Sequence, residues 1–264
     1  AVDADNYAGK TFKLTQDIDL GGNEWTPISM PTELSPSNTF RGTFDGQGHT
    51  IKGLYVRQQE AAGPFGYVYA ATIKNVTIEG ANLYSNHYAG GVVAWVLNNK
   101  GNIKVPFVME NCHVKNSTIS STPALINGEW DNGDKVGGLV GYVLFDNEGA
   151  VIKDCSVENT SIKAYRDFAG FAGYAKGVAF KNCAISNVTL EQDLSHDYKA
   201  PNTPNTFGMI IGRDEGGNTI DGNDYSYEAV ANGVYKVNDN YYIYNADGLK
   251  WLATEVNKHS NYER

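Results

Sequence analysis

The sequence predicts an all-β chain that winds into a right-handed parallel β-helix, a solenoid, and ends in a short helix. Two observations lead to this expectation. Glycine and tyrosine are abundant, at 29 and 17 of 264 residues, which suits strands joined by many tight turns. Two short motifs also alternate along most of the chain, and repeats with a period of roughly 20–50 residues are typical of solenoids. We therefore expect each repeat to form one coil.

The first recurring motif has the form G-x-x-G. Its copies are GPFG at 63–66, GVVA at 91–94, GLVG at 138–141, GFAG at 170–173 and a degenerate MIIG at 209–212. Each copy is followed by an Asn or Asp that opens the second motif. Asp154 and Asn182 mark the shortest repeat, 28 residues, which matches one solenoid coil, and longer repeats contain insertions. The departures from glycine at Ala94 and Met209 predict distortion of those two coils.

The second motif predicts a strand, a corner and another strand. Its copies read NVTIEGANL from Asn75, NCHVKNSTI from Asn111, DCSVENTSI from Asp154 and NCAISNVTL from Asn182. Apolar and polar residues alternate in each copy, which is the period-two pattern of a strand with one buried face. The residues that tolerate the left-handed conformation of a sharp corner then follow: Gly80, Asn116, Asn159 and Asn187.

The three cysteines occupy the same position of the second motif. Stacking in register would place Cys112, Cys155 and Cys183 above one another as a ladder of buried thiols, with Val76 at its end. Stacked strands lie about 4.8 Å apart and their side chains point the same way, which makes a disulfide between coils awkward. A pair oxidised between adjacent coils and a metal site remain as alternatives.

Charge and motif content narrow the functional class. The net charge is −9 and no Lys/Arg cluster is present, which argues against binding of nucleic acid or of an anionic membrane surface. No run of eighteen apolar residues exists, so we expect no membrane insertion, with any signal or anchor outside this chain. The sequence has no H-E-x-x-H, G-x-S-x-G or phosphate-loop motif, and its acidic loops lack calcium-loop spacing. We therefore expect no catalytic residues, no metal, no cofactor and no enzymatic activity.

The order of the motifs resembles a known family. KTFKLTQDIDL at 10–20, then FRGTFDGQGHTIKGL at 40–54, then the G-x-x-G repeats are similar to the GLUG-motif proteins. Those proteins occur on bacterial surfaces, particularly in gut Bacteroidetes, and in the non-catalytic region of immunoglobulin A peptidases. The resemblance covers nearly all of residues 7–230. It implies a surface-exposed, adhesin-like β-helix, usually one module of a longer chain, and it brings no catalytic residues.

The C-terminal part predicts a different structure. We expect the β-helix to occupy residues 1–230, and residues 231–264 to form a strand or hairpin followed by a short helix over 245–257. That helix would carry Leu249, Leu252 and Val256 on one face. It either caps this chain, begins a following module, or covers the open first coil of a neighbouring copy, which would give head-to-tail association through residues 245–264.

Aromatic residues on insertions and corners are the candidate binding residues. Solenoid insertions tend to form the interaction surface, and aromatic rings stack on sugars or anchor protein partners. The candidates are Trp130 and Tyr198 on the insertions at 121–136 and 192–205, and Tyr84, Tyr88 and Tyr165 on shorter corners. The sequence thus predicts an extracellular, bacterial cell-surface adhesion module that binds a glycan or a host or extracellular protein. The alternatives are a passive spacer in a larger surface protein, in which these aromatics only pack under loops, and a β-helix carbohydrate-active enzyme.

Overall fold

The computed structural model describes residues 7–31, 35, 38–97, 106–126, 129–131, 133–145, 149–193, 207–225, 227–231, 234–237, 240–243 and 246–258. The chain forms two compact units, Ala1–Asn223 and Asp224–Arg264. Each unit is described separately below.

The first unit contains short strands connected by turns. In chain order they are β1 Thr11–Lys13, β2 Ile18–Asp19, β3 Thr43–Asp45, β4 Thr50–Lys52, β5 Tyr55–Arg57, β6 Ala61–Ala62, β7 Phe65–Val68, β8 Thr72–Glu79, β9 Asn82–Ser85, β10 Tyr88–Gly90, β11 Val93–Val96, β12 Phe107–Lys115, β13 Thr118–Ser121, β14 Ala124–Ile126, β15 Glu129–Asp131, β16 Asp134–Gly137, β17 Val140–Leu144, β18 Ala150–Lys153, β19 Ser156–Glu158, β20 Ser161–Ala164, β21 Arg166–Ala169, β22 Ala172–Lys176, β23 Val178–Lys181, β24 Ala184–Ser186, β25 Thr189–Gln192, β26 Phe207–Gly208, β27 Ile211–Asp214 and β28 Thr219–Asp221.

These strands stack as four parallel sheets, which we name A to D in the order the chain visits them. Sheet A runs β1-β3-β8-β12-β18-β23-β28, with β2-β4-β8 and β12-β19-β24 beside that path. Sheet B is β5-β9-β13-β20-β25, sheet C is β6-β10-β16-β21-β26, and sheet D is β7-β11-β17-β22-β27. Each passage through A, B, C and D is one coil, so the predicted parallel β-helix is confirmed. The insertion between β13 and β16 contains an antiparallel hairpin, β14–β15.

The core is built from columns of inward side chains, one member per coil. In sheet A one such column is Phe12, Phe44, Ile73, Met109, Ile152, Phe180 and Ile220. Ile73, Met109, Ile152 and Phe180 are fully buried. Parallel in-register stacking brings identical positions of successive repeats into contact, and for this reason the period-two pattern of the second motif recurs in each coil.

The predicted corners have the predicted conformation. Gly80, Asn116, Asn159 and Asn187 lie between sheets A and B with φ of 63°, 51°, 47° and 49°. A side-chain amide at the corner also links coils, because Asn187 Nδ2 donates a hydrogen bond to Asn159 Oδ1. Asparagine therefore suits this corner for two reasons: it tolerates positive φ, and its side chain can hydrogen-bond to the next coil.

The G-x-x-G motif forms the corner between sheets C and D, where the backbones of successive coils approach closely. A Cβ on Gly91 would lie 2.1 Å from the carbonyl oxygen of Gly138, and one on Gly138 would lie 2.0 Å from that of Gly170. Glycine is required here because no side chain fits between the stacked backbones. The predicted distortion at Ala94 is absent, since β11 keeps an unbroken register with β7 and β17.

The cysteines form the predicted ladder of buried free thiols. The Cys112 N–H donates to Cys155 Sγ over 3.4 Å, and the Cys183 N–H donates to Asn223 Oδ1 over 2.6 Å. Each thiol lies between a carbonyl of the preceding coil, that of Ile73, Met109 or Ile152 at 3.4, 3.9 and 3.5 Å, and a carbonyl two residues earlier in its own strand, at 3.4, 3.1 and 3.4 Å, and its one hydrogen can be donated to either. Burial raises the pKa of the Cys155 thiol. The cysteines thus connect the backbones of neighbouring coils, and Asn223 takes over this role at the end of the column.

The second unit is a small antiparallel sheet and a helix. Its elements are β29 Asp224–Tyr225, β30 Tyr227–Ala231, β31 Val234–Val237, β32 Asn240–Ile243 and α1 Ala246–Lys258. β31 pairs with both β30 and β32. The boundary predicted at residue 230 falls within β30, and this unit also includes β29, which lies inside the predicted range 1–230. Helix α1 confirms the predicted short C-terminal helix, and Leu249, Leu252 and Val256 on it are exposed.

Candidate functional site

A row of aromatic side chains runs along sheet D. Tyr67, Trp95, Tyr142 and Tyr174, which we call the aromatic ladder, directly follow the last small residue of four successive G-x-x-[GA] motifs. They occupy one register position on β7, β11, β17 and β22. Neighbouring ring centroids are 5.7, 5.2 and 4.9 Å apart. One repeat contributes one ring, so the sequence repeat produces a row of packed aromatic rings, inclined to their neighbours by 55°, 54° and 82°.

The ladder is only partly covered. Tyr67 is buried at 3% exposure, whereas Trp95, Tyr142 and Tyr174 are half-buried and therefore present ring surface to solvent. Arg213 on β27 continues the same register position. Its guanidinium carbon lies 5.2 Å from the Tyr174 ring centroid, and a cation over a ring face is attracted by the ring quadrupole.

Tyr88 on sheet C supports the ladder from the side. Its ring centroid lies 4.7 Å from that of Trp95 and 5.8 Å from that of Tyr142. His87 stacks on Tyr88 at 3.8 Å, and Lys135 Nζ lies 5.4 and 5.7 Å from the ring centroids of Tyr88 and Tyr142. These contacts hold the rings in fixed orientations.

The ladder hydroxyls are neutral hydrogen-bonding groups. Burial raises the pKa of Tyr67, Tyr88 and Tyr142. Burial, followed by a hydrogen bond with Glu215, raises the pKa of Tyr174 to about 12. Phenols with raised pKa values stay protonated near neutral pH, so they can donate hydrogen bonds but do not act as phenolate nucleophiles.

A buried ion cluster lies beside the ladder at the corner between sheets B and C. Asp134 is 0% exposed and faces Arg166 directly across the β16–β21 register. Its Oδ2 accepts hydrogen bonds from Arg166 Nε at 3.2 Å, Arg166 Nη2 at 3.1 Å and Lys135 Nζ at 2.8 Å. Its Oδ1 lies 3.3 Å from His87 Nε2. The carboxylate thereby positions Lys135 and lies beside His87, and both of these residues contact Tyr88.

The residues predicted from the sequence do not gather at one place. Tyr88 supports the ladder but is 7% exposed, and Tyr165 is equally buried. Tyr84 is half-buried on sheet B, where its hydroxyl lies 2.7 Å from Thr122 Oγ1 and Arg57 covers its ring. Trp130 lies on β15 with its side chain outside the described part, and Tyr198 lies outside the described residues. Their role in ligand binding therefore stays a prediction.

The ladder itself was missed by sequence reasoning, although the sequence carries a signal for it. An aromatic residue follows the motif in four of its five copies, and only Arg213 differs. An alignment of the five motif copies shows the aromatic residue after the motif as one recurring column within this chain.

The described residues contain no group of three or more His, Cys, Asp or Glu side chains arranged to hold a metal ion. No helix within the described ranges is long and apolar enough to cross a membrane.

The fold and the ladder define a parallel β-helix repeat protein with a preformed aromatic face. No family model matches the chain. The chain is 31% identical over 159 residues to Halomucin from Haloquadratum walsbyi, and the aligned segment covers 55% of this chain and 2% of Halomucin. A solved structure, that of a proposed immunoglobulin A1 protease from Bacteroides ovatus, is similar at 15% sequence identity with a TM-score of 0.42, covering 77% of this chain and 78% of the other.

Proposed function

We propose that this chain is a recognition module of a bacterial cell-surface protein and that its aromatic ladder binds a glycan. The observation that supports this is the ladder: one ring per coil at one register position, with Trp95, Tyr142 and Tyr174 partly exposed. The extracellular location is supported by the resemblance to GLUG-motif surface proteins. The similarity to a small segment of Halomucin supports a module within a longer chain.

The spacing of the ladder suits an extended polysaccharide. Aromatic faces pack on the apolar faces of sugar rings, and coils repeat at about 4.8 Å. One hexopyranose unit has nearly this length, so successive sugars would meet successive rings. The rings are already fixed by their mutual contacts and by Tyr88, so little side-chain entropy is lost on binding.

Polar groups at both sides of the ladder would orient the sugar. The Tyr142 hydroxyl is protonated, and the Tyr174 hydroxyl, which donates its proton to Glu215, keeps lone pairs that can accept a hydrogen bond from a sugar. Lys135 is held by Asp134, and Arg213 Nε donates to Glu215 Oε1 at 2.7 Å. A mostly aromatic surface with a few fixed polar groups is typical of carbohydrate recognition, in which stacking supplies affinity and hydrogen bonds supply specificity. The proposal includes no catalytic step, so a bound glycan should stay intact.

A glycan array followed by calorimetric titration of the best ligand tests the proposal. Trp95→Ala should raise the dissociation constant roughly 30-fold. This equals a loss of about 2 kcal/mol of binding free energy, which is typical for a central aromatic residue. Tyr174→Ala tests the same surface at the end of the ladder, where fewer packing contacts are lost. Tyr55→Ala is the matched control, because Tyr55 is likewise half-buried but lies on sheet B and is not a candidate binding residue, and this variant should bind as the unaltered chain does.

Circular dichroism of each variant would show that its fold is intact, and mass spectrometry of the ligand would show whether it is cleaved. The proposal is wrong if no glycan binds, or if a glycan binds with equal affinity to the Trp95→Ala and Tyr174→Ala variants.

A further inference from the structure

The columns of core side chains end in exposed residues at both ends of the stack. Phe12 is 41% exposed and Ile220 is 44% exposed, although both belong to the sheet A column whose members Ile73, Met109 and Phe180 are fully buried. A neighbouring column behaves likewise, since Ile18 on β2 is 36% exposed. Large apolar side chains are normally covered in a core, so these ends present apolar surface that a further coil would bury.

The two ends also present open sheet edges. β1 and β28 are the first and last strands along the main path of sheet A, and each has a neighbour on that path on one side only. An edge strand offers unpaired N–H and C=O groups that can pair with a strand of another chain. Thr11–Lys13 and Thr219–Asp221 are each three residues long and lie in the same register through the intervening strands.

Charge along sheet A explains how the ends would match. The outward column beside the core column contains Lys13, Asp45, Lys74, Glu110, Lys153, Lys181 and Asp221. Opposite charges meet at two places in this column, where Lys74 Nζ lies 3.7 Å from Asp45 Oδ2 and Lys153 Nζ lies 2.9 Å from Glu110 Oε1, whereas Lys153 and Lys181 are neighbours of like charge. The column begins with a cation at Lys13 and ends with an anion at Asp221, so its two ends are complementary.

We propose that a second copy of this chain stacks its β1 on β28 of the first copy and so continues the β-helix. Continuation of the register pairs Thr219 with Thr11, Ile220 with Phe12, and Asp221 with Lys13. Each pair matches in chemistry: hydroxyl with hydroxyl, apolar with apolar, and anion with cation. The contact joins two different surfaces, so it does not close on itself and can propagate into a linear assembly.

Light scattering and sedimentation velocity of the full chain, over a concentration series, test this proposal. The average molar mass should keep rising with protein concentration and should not level off at one oligomer size. Lys13→Asp and Asp221→Lys should each weaken the association about tenfold, because like charges then meet at the new rung. The double variant, Lys13→Asp with Asp221→Lys, restores opposite charges and should recover the association. Lys115→Asp makes the same charge change in the middle of the stack and is the control.

Recovery in the double variant distinguishes a direct charge pair from a general effect on folding, which circular dichroism checks independently. A chain that stays monomeric at the highest attainable concentration would overturn the proposal. It would also be overturned by association that neither single reversal weakens, as would occur if residues 245–264 formed the contact instead.

Discussion

Replacement of Gly138 by alanine tests whether the close approach of coils at the corner between sheets C and D sets the sequence of the repeat. The added Cβ would lie 2.0 Å from the Gly170 carbonyl oxygen and 2.9 Å from the methyl groups of Val157. Ordinary contacts between heavy atoms are about 3.5 Å or longer. Relief of this overlap requires the two coils to separate at the corner.

The expected cost follows from the hydrogen bonds that join this corner to the next coil. The N–H groups of Gly138, Leu139 and Val140 donate to Ala169 O, Phe171 O and Phe171 O at 3.1, 3.0 and 3.0 Å. Loss of three buried hydrogen bonds, at about 1–2 kcal/mol each, lowers the free energy of unfolding by about 3–6 kcal/mol. That is a large part of the stability of a typical domain, roughly 5–15 kcal/mol.

Urea unfolding followed by circular dichroism measures this change. Gly80→Asn is the matched control, because Gly80 has φ of 63° with nothing within 4 Å of an added Cβ, and Asn116 holds the equivalent corner at 51°. The control should shift stability by less than about 0.5 kcal/mol. If the free energy of unfolding of Gly138→Ala lies within about 1 kcal/mol of that of the unaltered chain, the reasoning is refuted. The coils would then accommodate the added Cβ without losing the hydrogen bonds between them.

Three further predictions concern polar groups that hold the coils together. Cys155→Val should lower the free energy of unfolding by about 1–3 kcal/mol, because the Cys112 N–H loses its acceptor; equal urea midpoints would contradict this. Asp134→Asn should lower it by about 1–3 kcal/mol, because the buried carboxylate oxygen that accepts hydrogen bonds from Arg166 and Lys135 loses its charge, and a thermal melt that does not shift would show otherwise. The pKa of Asp45 is lowered from 3.8 to about 2, mainly by hydrogen bonds from Asn75 and Gln47. The stability this provides is complete above pH 4 and lost as the pH falls through 2, so Asp45→Asn should flatten that part of an unfolding profile measured against pH, and an unchanged slope would count against it.

The parts of the fold that depend on one residue type at one repeat position could be predicted from the sequence. Asn116, Asn159 and Asn187 have positive φ as expected, because few side chains other than Asn and Gly accept that conformation. The thiol ladder followed from register alone, since period two fixes which side of a strand faces the core. In both cases a local constraint decides the outcome, and the repeat copies it from coil to coil.

The aromatic ladder could not be predicted by the same rule. On β11, Val93, Ala94 and Val96 are fully buried and Trp95 between them is half-buried. A strand that buries residues on both faces gives no alternation, so period two does not indicate that Trp95 is partly exposed. The exposed side is decided by the neighbouring sheet C, and that packing is a tertiary property.

The ion cluster was hidden for a different reason. Asp134 and Arg166 are 32 residues apart, and the hairpin β14–β15 lies just before Asp134. Carboxylates are common in turns, so the sequence alone does not mark Asp134 as buried. Only the register of β16 with β21 shows that this carboxylate is buried opposite a guanidinium.

Met209 stands at the first motif position, where the other four copies carry glycine, and the structure explains why a side chain fits there. A Cβ at the first glycine of three motif copies would collide with a carbonyl of the following coil: Gly91 with Gly138, Gly138 with Gly170, and Gly170 with Met209 at 2.3 Å. Met209 is the last member of this column among the described residues, so the carbonyl that would exclude its side chain is missing there, and the side chain packs at 5% exposure. The same reasoning explains why Asn223 replaces cysteine at the end of the thiol column. The first motif position is therefore constrained by the coil that follows it. At the last motif position the constraint comes from the preceding coil, because a Cβ on Gly141 or Gly173 would lie 2.6 Å from Ala94 O or 2.3 Å from Val136 N. Only the first of these constraints is lifted where the stack of described coils ends.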